Sequence, residues 1–124
     1  MSVSIEIEVG GLILQGELAA TGCAGAIVEG LPLETSFNTW GDEFYFEIPV
    51  VCEADETATI DVEVGTIGYW PPGRALAIFF GRTPMSTSDK PVPASDVNLV
   101  GTLENADDLV GFMSESRILI RRIE

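Results

Sequence analysis

Apolar and polar residues alternate one by one along several stretches of the chain. In residues 3–9, valine and isoleucine alternate with serine and glutamate, and the same period returns in 43–48 and 58–64. A period of two is typical of strands that bury one face and leave the other in water. The pattern therefore predicts a mainly β protein.

Further strands are expected where the alternation is less regular. These stretches are 12–18, 33–38, 75–80, 97–104 and 117–123. Gly10-Gly11 predicts a tight hairpin between the first two strands, and Gly41-Asp42 predicts a turn between 37–40 and 43–48.

Two segments favour short helices instead. Residues 20–30 offer Thr21 as an N-cap and end at Gly30, and residues 105–113 offer Asn105 as a cap followed by acidic residues. The segment 83–95, with three prolines and small polar residues, predicts a loop.

About eight strands and two short helices fit one domain, residues 1–124, built as a closed antiparallel barrel with the helices capping its ends. Closure removes exposed strand edges, which otherwise invite aggregation. The run ALAIFF at 75–80 is apolar on both faces, so we expect its outer side to lie under another part of the chain.

The charge of the chain disfavours some classes of binding partner. The 20 acidic and 6 basic side chains give a formal net charge of −14, which disfavours nucleic acid and anionic membranes. No apolar run is long enough to span a bilayer, and the first residues lack the basic start and apolar core of a signal peptide. We expect a cytoplasmic protein.

Missing residue types exclude several chemistries. The chain has no histidine, so it cannot build a Ser-His-Asp or Cys-His site or a zinc site with imidazole ligands. Cys23 and Cys52 lack a CxxC spacing and are expected to be buried, reduced thiols. No phosphate-binding glycine loop occurs, and we predict neither a metal nor a cofactor. The acidic pair Asp42 and Glu43 is expected to be a solvated turn.

Aromatic residues supply the candidate site. Pro71, Pro72 and Gly73 predict a rigid turn that presents Trp70. We predict a pocket with apolar contacts from Trp40, Tyr69, Trp70 and Phe80 and polar orientation from Asn38 and Arg74. The competing interpretations are that the aromatic residues belong to the core and that Arg74 is a surface arginine stacked on an aromatic ring.

Three blocks carry a resemblance to a known family: NTWGDEFYFEIP, VGTIGYWPPGRALAIFFGRTPMS and PASDVNLVGTLENADDL. Together they resemble a family of small, uncharacterised prokaryotic proteins with a cyclophilin-like fold. The resemblance covers nearly the whole chain and implies an eight-stranded barrel with a helix at each end.

The likeness to true cyclophilins, the peptidyl-prolyl isomerases, is more distant. Residues 74–80 resemble the strand with the NGSQFF signature, of which Phe79 and Phe80 remain, and residues 97–101 resemble the strand written HVVFG. The segment with the catalytic arginine has no counterpart, and the pocket histidine is absent. The resemblance therefore implies the fold without the known catalytic machinery.

The function we expect is binding of a small molecule or peptide segment without ordinary cyclophilin catalysis. The first alternative is an atypical prolyl isomerase that uses Arg74, since a donor aimed at the proline nitrogen lowers the barrier of isomerisation. The second is a structural or interaction subunit. The sequence leaves the ligand and the oligomeric state open.

Overall fold

The structure, a computed structural model, describes residues 2–123 and folds them into nine strands, one α-helix and two 3-10 helices. The strands are β1 (Val3–Val9), β2 (Leu12–Leu18), β3 (Leu33–Ser36), β4 (Asn38–Thr39), β5 (Glu43–Glu47), β6 (Thr66–Trp70), β7 (Ala75–Phe79), β8 (Asn98–Leu103) and β9 (Arg117–Arg122). The helix α1 spans Gly22–Glu29, and the 3-10 helices span Pro71–Gly73 and Ala106–Phe112.

The strands form one antiparallel sheet in the order β3-β9-β1-β2-β8-β6-β7-β5-β4. Its two edge strands, β3 and β4, are consecutive in the chain and are joined by Phe37 alone. This short connection brings the edges together, so the sheet curls into a nearly closed barrel. The predicted mainly β antiparallel barrel is confirmed.

One face of each long strand fills the barrel. The interior cluster includes Ile5 and Ile7 of β1, Leu14 and Leu18 of β2, Phe44 and Phe46 of β5, Ile67 and Tyr69 of β6, Leu76 and Ile78 of β7, and Ile118 and Ile120 of β9. Phe37 stacks on Phe44 with ring centroids 4.0 Å apart, which packs the β3–β4 connection against this core.

The Gly10-Gly11 hairpin is confirmed. Val9 pairs with Leu12, and both glycines have positive φ (56° and 89°). Positive φ at both central residues matches the twist of the flanking strands and favours glycine at each position.

The two helical segments differ in geometry. Thr21 caps α1 as predicted, because its Oγ1 accepts a hydrogen bond of 3.1 Å from the backbone N–H of Ala24. The second segment is a 3-10 helix that begins at Ala106, and Asn105 lies before it in the left-handed region without a side-chain cap. Cys23, Ala24 and Ile27 of α1 and Ala106 and Leu109 of the second segment join the barrel core.

The strand predicted at 58–64 is wrong. Thr59 makes one isolated bridge to Val97, Val62 is buried, and Ile60 and Val64 are exposed. The alternation exists in the sequence, but only Val62 finds an apolar surface to cover. The ladder position between β7 and β8 belongs to β6, a strand that was not among those predicted.

Both cysteines are free, but only Cys23 is buried, whereas Cys52 is half-buried. Burial, together with a hydrogen bond to Cys52, raises the pKa of the Cys23 thiol to about 12. The prediction of buried thiols is therefore right for Cys23 and wrong for Cys52. Within residues 2–123, none of the helices is long and apolar enough to cross a membrane.

The N-cap of α1 gives a test of the fold. We expect Thr21→Ala to lower the free energy of unfolding by about 1 kcal/mol, because an N–H of the first turn loses its partner. Chemical denaturation measures the change. Thr87→Ala, at an exposed loop position, is the matched control and should stay within about 0.5 kcal/mol of wild type. Equal losses in the two variants would contradict this role of Thr21.

Candidate functional site

The outer face of the barrel is apolar where β5 and β7 pair. Glu43 pairs with Phe79, and Tyr45 pairs with Ala77. Since the residues between them point into the barrel, these four side chains point outward. Strand β7 is buried over its whole length, so its outer face must be covered by other parts of the chain.

Residues 81–97, here called the covering segment, provide part of this cover. Val97 packs with Val62, Ala77 and Phe79 in a second apolar cluster outside the barrel. This confirms the expectation that the outer side of 75–80 lies under another part of the chain.

Thr83 organises the covering segment from within. Its hydroxyl donates to the carbonyl of Val92 at 2.5 Å, and its backbone N–H donates to Ser86 Oγ at 2.9 Å. Ser86 Oγ in turn donates to the carbonyl of Lys90 at 2.8 Å. Lys90 forms ion pairs with Asp61 and with Glu63, which connect the covering segment to the irregular stretch 58–64 before β6.

A cavity of about 150 Å³, here called the outer cavity, lies between the sheet and this cover. The sheet contributes Ala77 and Phe79, and the covering segment contributes Pro93, Ala94 and Val97. The volume is close to that of an engineered cavity that binds one benzene, roughly 150 Å³. It therefore suits a single small group.

The rest of the wall is aromatic apart from one carboxyl group. Trp40, Tyr45 and Trp70 line the outer cavity together with Glu43. Trp40 lies beside Glu43 because its backbone N–H donates to the Glu43 carbonyl across the β4–β5 turn, at 3.0 Å. The chain has two tryptophans, and both are in this wall.

Trp70 is fixed by contacts on two sides. Its Nε1 donates to Ser95 Oγ at 2.7 Å. A Cβ at Gly73 would lie 2.7 Å from its ring, so a side chain there would displace the indole. Glycine is needed at position 73 because the Trp70 ring packs directly against its backbone. The residue of this turn with a positive φ is Arg74, at 49°.

Glu43 is the unusual group of the site. It is 7% exposed, and among the described residues its Oε1 has no hydrogen-bond partner. Burial raises the pKa of this carboxyl group from 4.5 to about 8, so the group holds a proton at neutral pH. The expectation that Glu43 is a solvated turn charge is therefore wrong, because the folded chain removes its carboxyl group from water.

The structure divides the predicted site residues between two sides of the barrel wall. Trp40 and Trp70 line the outer cavity. Tyr69 and Phe80 are buried in the barrel core. Tyr69 donates its hydroxyl to the Val50 carbonyl at 2.6 Å and accepts from the backbone N–H of Cys52 at 3.1 Å, so it holds the chain after β5 in place.

The two predicted polar residues lie outside the lining. Asn38 is exposed on β4 and pairs with Tyr45 in the ladder, so it is next to the cavity wall. Arg74 is exposed in the turn after Pro71–Gly73, and its carbonyl accepts from the Ile48 N–H at 2.9 Å. The structure thus brings the two tryptophans into one lining, which does not include Arg74.

The predicted site did not include Glu43, Tyr45 or the covering segment. The alternation in 43–48 does put Glu43 and Tyr45 on the outer face. Their partners on β7 depend on the register of the sheet, which the alternation leaves undetermined. Across residues 2–123, no cluster of three or more carboxylate or thiol side chains could hold a metal ion.

Comparisons with known proteins agree with this architecture. The model of the family described as cyclophilin-like matches residues 3–121. The solution structure of the hypothetical protein AF2241 from Archaeoglobus fulgidus is 35% identical, with a TM-score of 0.81 over 98% of this chain and 95% of that one. No curated protein matches the chain significantly. The chain belongs to the cyclophilin-like family.

The buried carboxyl group predicts a pH-dependent stability. Between about pH 4.5 and pH 8, the folded protein keeps a proton on Glu43 that the unfolded chain has lost. The unfolded state binds fewer protons in this window, so stability falls as pH rises. We expect Glu43→Gln to remove this loss of stability. Between about pH 5 and pH 9, its free energy of unfolding should rise above that of wild type by on the order of a few kcal/mol.

Urea denaturation at several pH values measures this difference. Glu47→Gln, an exposed position on the same strand, is the control, and its stability should follow that of wild type across the range. Parallel curves for wild type and Glu43→Gln would show that Glu43 does not carry the dependence.

Proposed function

We propose that this protein is a binding domain that takes up a small molecule or the side chain of a peptide segment in the outer cavity. It acts without the catalysis of ordinary cyclophilins. We also propose that it is a cytoplasmic protein, as expected from its sequence. Nucleic acid and anionic membranes are not its partners, because a net charge of −14 repels them.

The observation that carries this proposal is a buried carboxyl oxygen without a partner in the wall of an aromatic cavity. Leaving a buried polar group unpaired costs free energy, and a folded protein keeps few such groups. A ligand that offers a partner to Glu43 would offset this cost. The three aromatic side chains supply apolar contact area with little flexibility, as is usual in small-molecule sites.

Ligand binding should be visible through the tryptophans, since both line the cavity. We expect small probes such as benzyl alcohol and 3,3-dimethyl-1-butanol to change the intrinsic fluorescence. In a ¹H–¹⁵N spectrum, they should shift the indole N–H signals of Trp40 and Trp70 before other signals.

Two filling variants locate the binding. Ala77→Leu occupies the floor of the cavity, and Ala94→Phe places a ring at its exposed side, so each should weaken probe binding. Ala54→Phe, at an exposed position outside the cavity lining, is the matched control. Probe binding that survives both filling variants, or shifts scattered over the whole surface, would refute the proposal.

For the prolyl isomerase alternative, we expect no more than marginal acceleration in a prolyl-peptide assay. Arg74 is exposed and lies outside the cavity lining, and in the described chain no hydrogen bond or ion pair aims its guanidinium. Loss of an aimed donor commonly costs on the order of 100- to 1,000-fold in rate. Strong acceleration that is lost in Arg74→Ala and kept in Arg82→Ala would establish the isomerase instead.

The structural-subunit alternative gains no specific support. Its aromatic docking surface would have to be flat, whereas Trp40 and Trp70 surround a cavity.

A further inference from the structure

The electrostatic character of the outer cavity points to the charge of its ligand. The faces of aromatic rings are negative, and the wall contains two tryptophans and a tyrosine. The basic side chains of the protein, all six within the described residues, lie outside the lining. The wall contains one carboxyl group, that of Glu43, which becomes negatively charged when it loses its proton.

We propose that the outer cavity binds the head group of a small alkylammonium cation, with Trp40, Tyr45 and Trp70 as an aromatic cage and the Glu43 carboxylate as counter-ion. This inference rests on the proposed function and narrows it to one class of ligand. The cation can belong to a free small molecule or to an alkylated lysine side chain, and both have the same chemistry.

The dimensions fit such a group. A volume of about 150 Å³ accepts a nitrogen with its methyl substituents, and the remainder of the ligand must leave through an opening. Alkylated ammonium groups cost less to remove from water than a bare ammonium, which is strongly hydrated. Each favourable contact with a desolvated ring then contributes on the order of 1–2 kcal/mol, a factor of roughly 5 to 30 in affinity.

Glu43 couples this binding to a proton. In the free protein the carboxyl group is buried without a partner and is neutral at pH 7. A cation placed beside it favours the ionised form and lowers its pKa. The protonated carboxyl and the cation therefore give a carboxylate–cation pair, and the proton leaves to solvent. Below pH 8, binding should release up to one proton and become tighter as pH rises.

The surroundings of Glu43 contain few competing groups. Tyr45 is the other titratable side chain in the wall. Asp42, Arg82 and Asp96 belong to the adjoining turn and the covering segment but lie outside the lining. Burial is the cause of the raised pKa of Glu43, without a contribution from a neighbouring charge. The overall charge of −14 also favours the approach of a cation.

Choline and 3,3-dimethyl-1-butanol form the decisive pair of probes, because they have nearly the same shape and differ in charge. Titration calorimetry on the whole protein, in buffers of different ionisation enthalpy, gives both the affinity and the number of protons released. At about pH 8.5 we expect choline to bind at least about tenfold tighter than the neutral alcohol. At about pH 7.5, about half a proton should be released per choline if ionisation of Glu43 tightens binding tenfold, and more for a larger gain; none should be released with the alcohol.

Glu43→Gln should weaken choline binding at about pH 8.5 and remove its pH dependence, whereas the part of the preference for choline that comes from the aromatic rings should remain. Glu47→Gln, on the same strand and the same face but exposed, should behave like wild type. A tripeptide containing trimethyllysine separates the two sources of the cation. Tighter binding than choline indicates a peptide ligand, and weaker binding a free small molecule.

The possible failures are distinct. If the alcohol binds as tightly as choline, the cation inference is overturned while the proposed function stands. If choline binds without releasing any proton at about pH 7.5, the role of Glu43 as counter-ion is overturned, and this result does not require any variant to fold. If neither these probes nor benzyl alcohol bind, the proposed function itself fails.

Discussion

Strand β7 must be buried on both faces, and much of the structure depends on this constraint. Leu76 and Ile78 fill the barrel, while Ala77 and Phe79 form an apolar outer surface. A surface of this kind is unfavourable in water, so the chain has to cover it. The covering segment does so with Val97 and with a hydrogen-bonded loop built around Thr83.

The same cover determines the chemistry of the site. Glu43 is directly opposite Phe79 in the ladder, and both side chains are buried where they share the lining of the outer cavity with residues of the covering segment. A carboxyl group on the outer face of an ordinary barrel strand would remain solvated and ionised. Here its pKa rises to about 8, and an acid at the end of a strand becomes a neutral, partnerless group in an aromatic wall.

Membership of the cyclophilin-like family defines the fold and leaves the activity to the site. The candidate site lies on the outside of the barrel wall, between the sheet and the covering segment, with Trp40 and Trp70 in its lining. Tyr69, next to Trp70 in the sequence, and Phe80, next to Phe79, belong instead to the core of the barrel. Residues only one position apart along a strand, such as Tyr69 and Trp70, thus lie on opposite faces of the same wall, one in the barrel core and one in the lining of the outer cavity.

The sequence alone determined the mainly β class, the Gly10-Gly11 hairpin, the cap at Thr21 and the need to cover residues 75–80, because each depends on local pattern or backbone geometry. It also pointed to Trp40 and Trp70. It did not determine that 58–64 stays irregular, that Asn105 leaves its helix uncapped, or that Glu43 is buried. These outcomes depend on which surfaces meet in the folded chain. For Glu43, the register of β5 against β7 decides the outcome, because it places this side chain opposite Phe79, and that register arises from contacts between residues far apart in sequence.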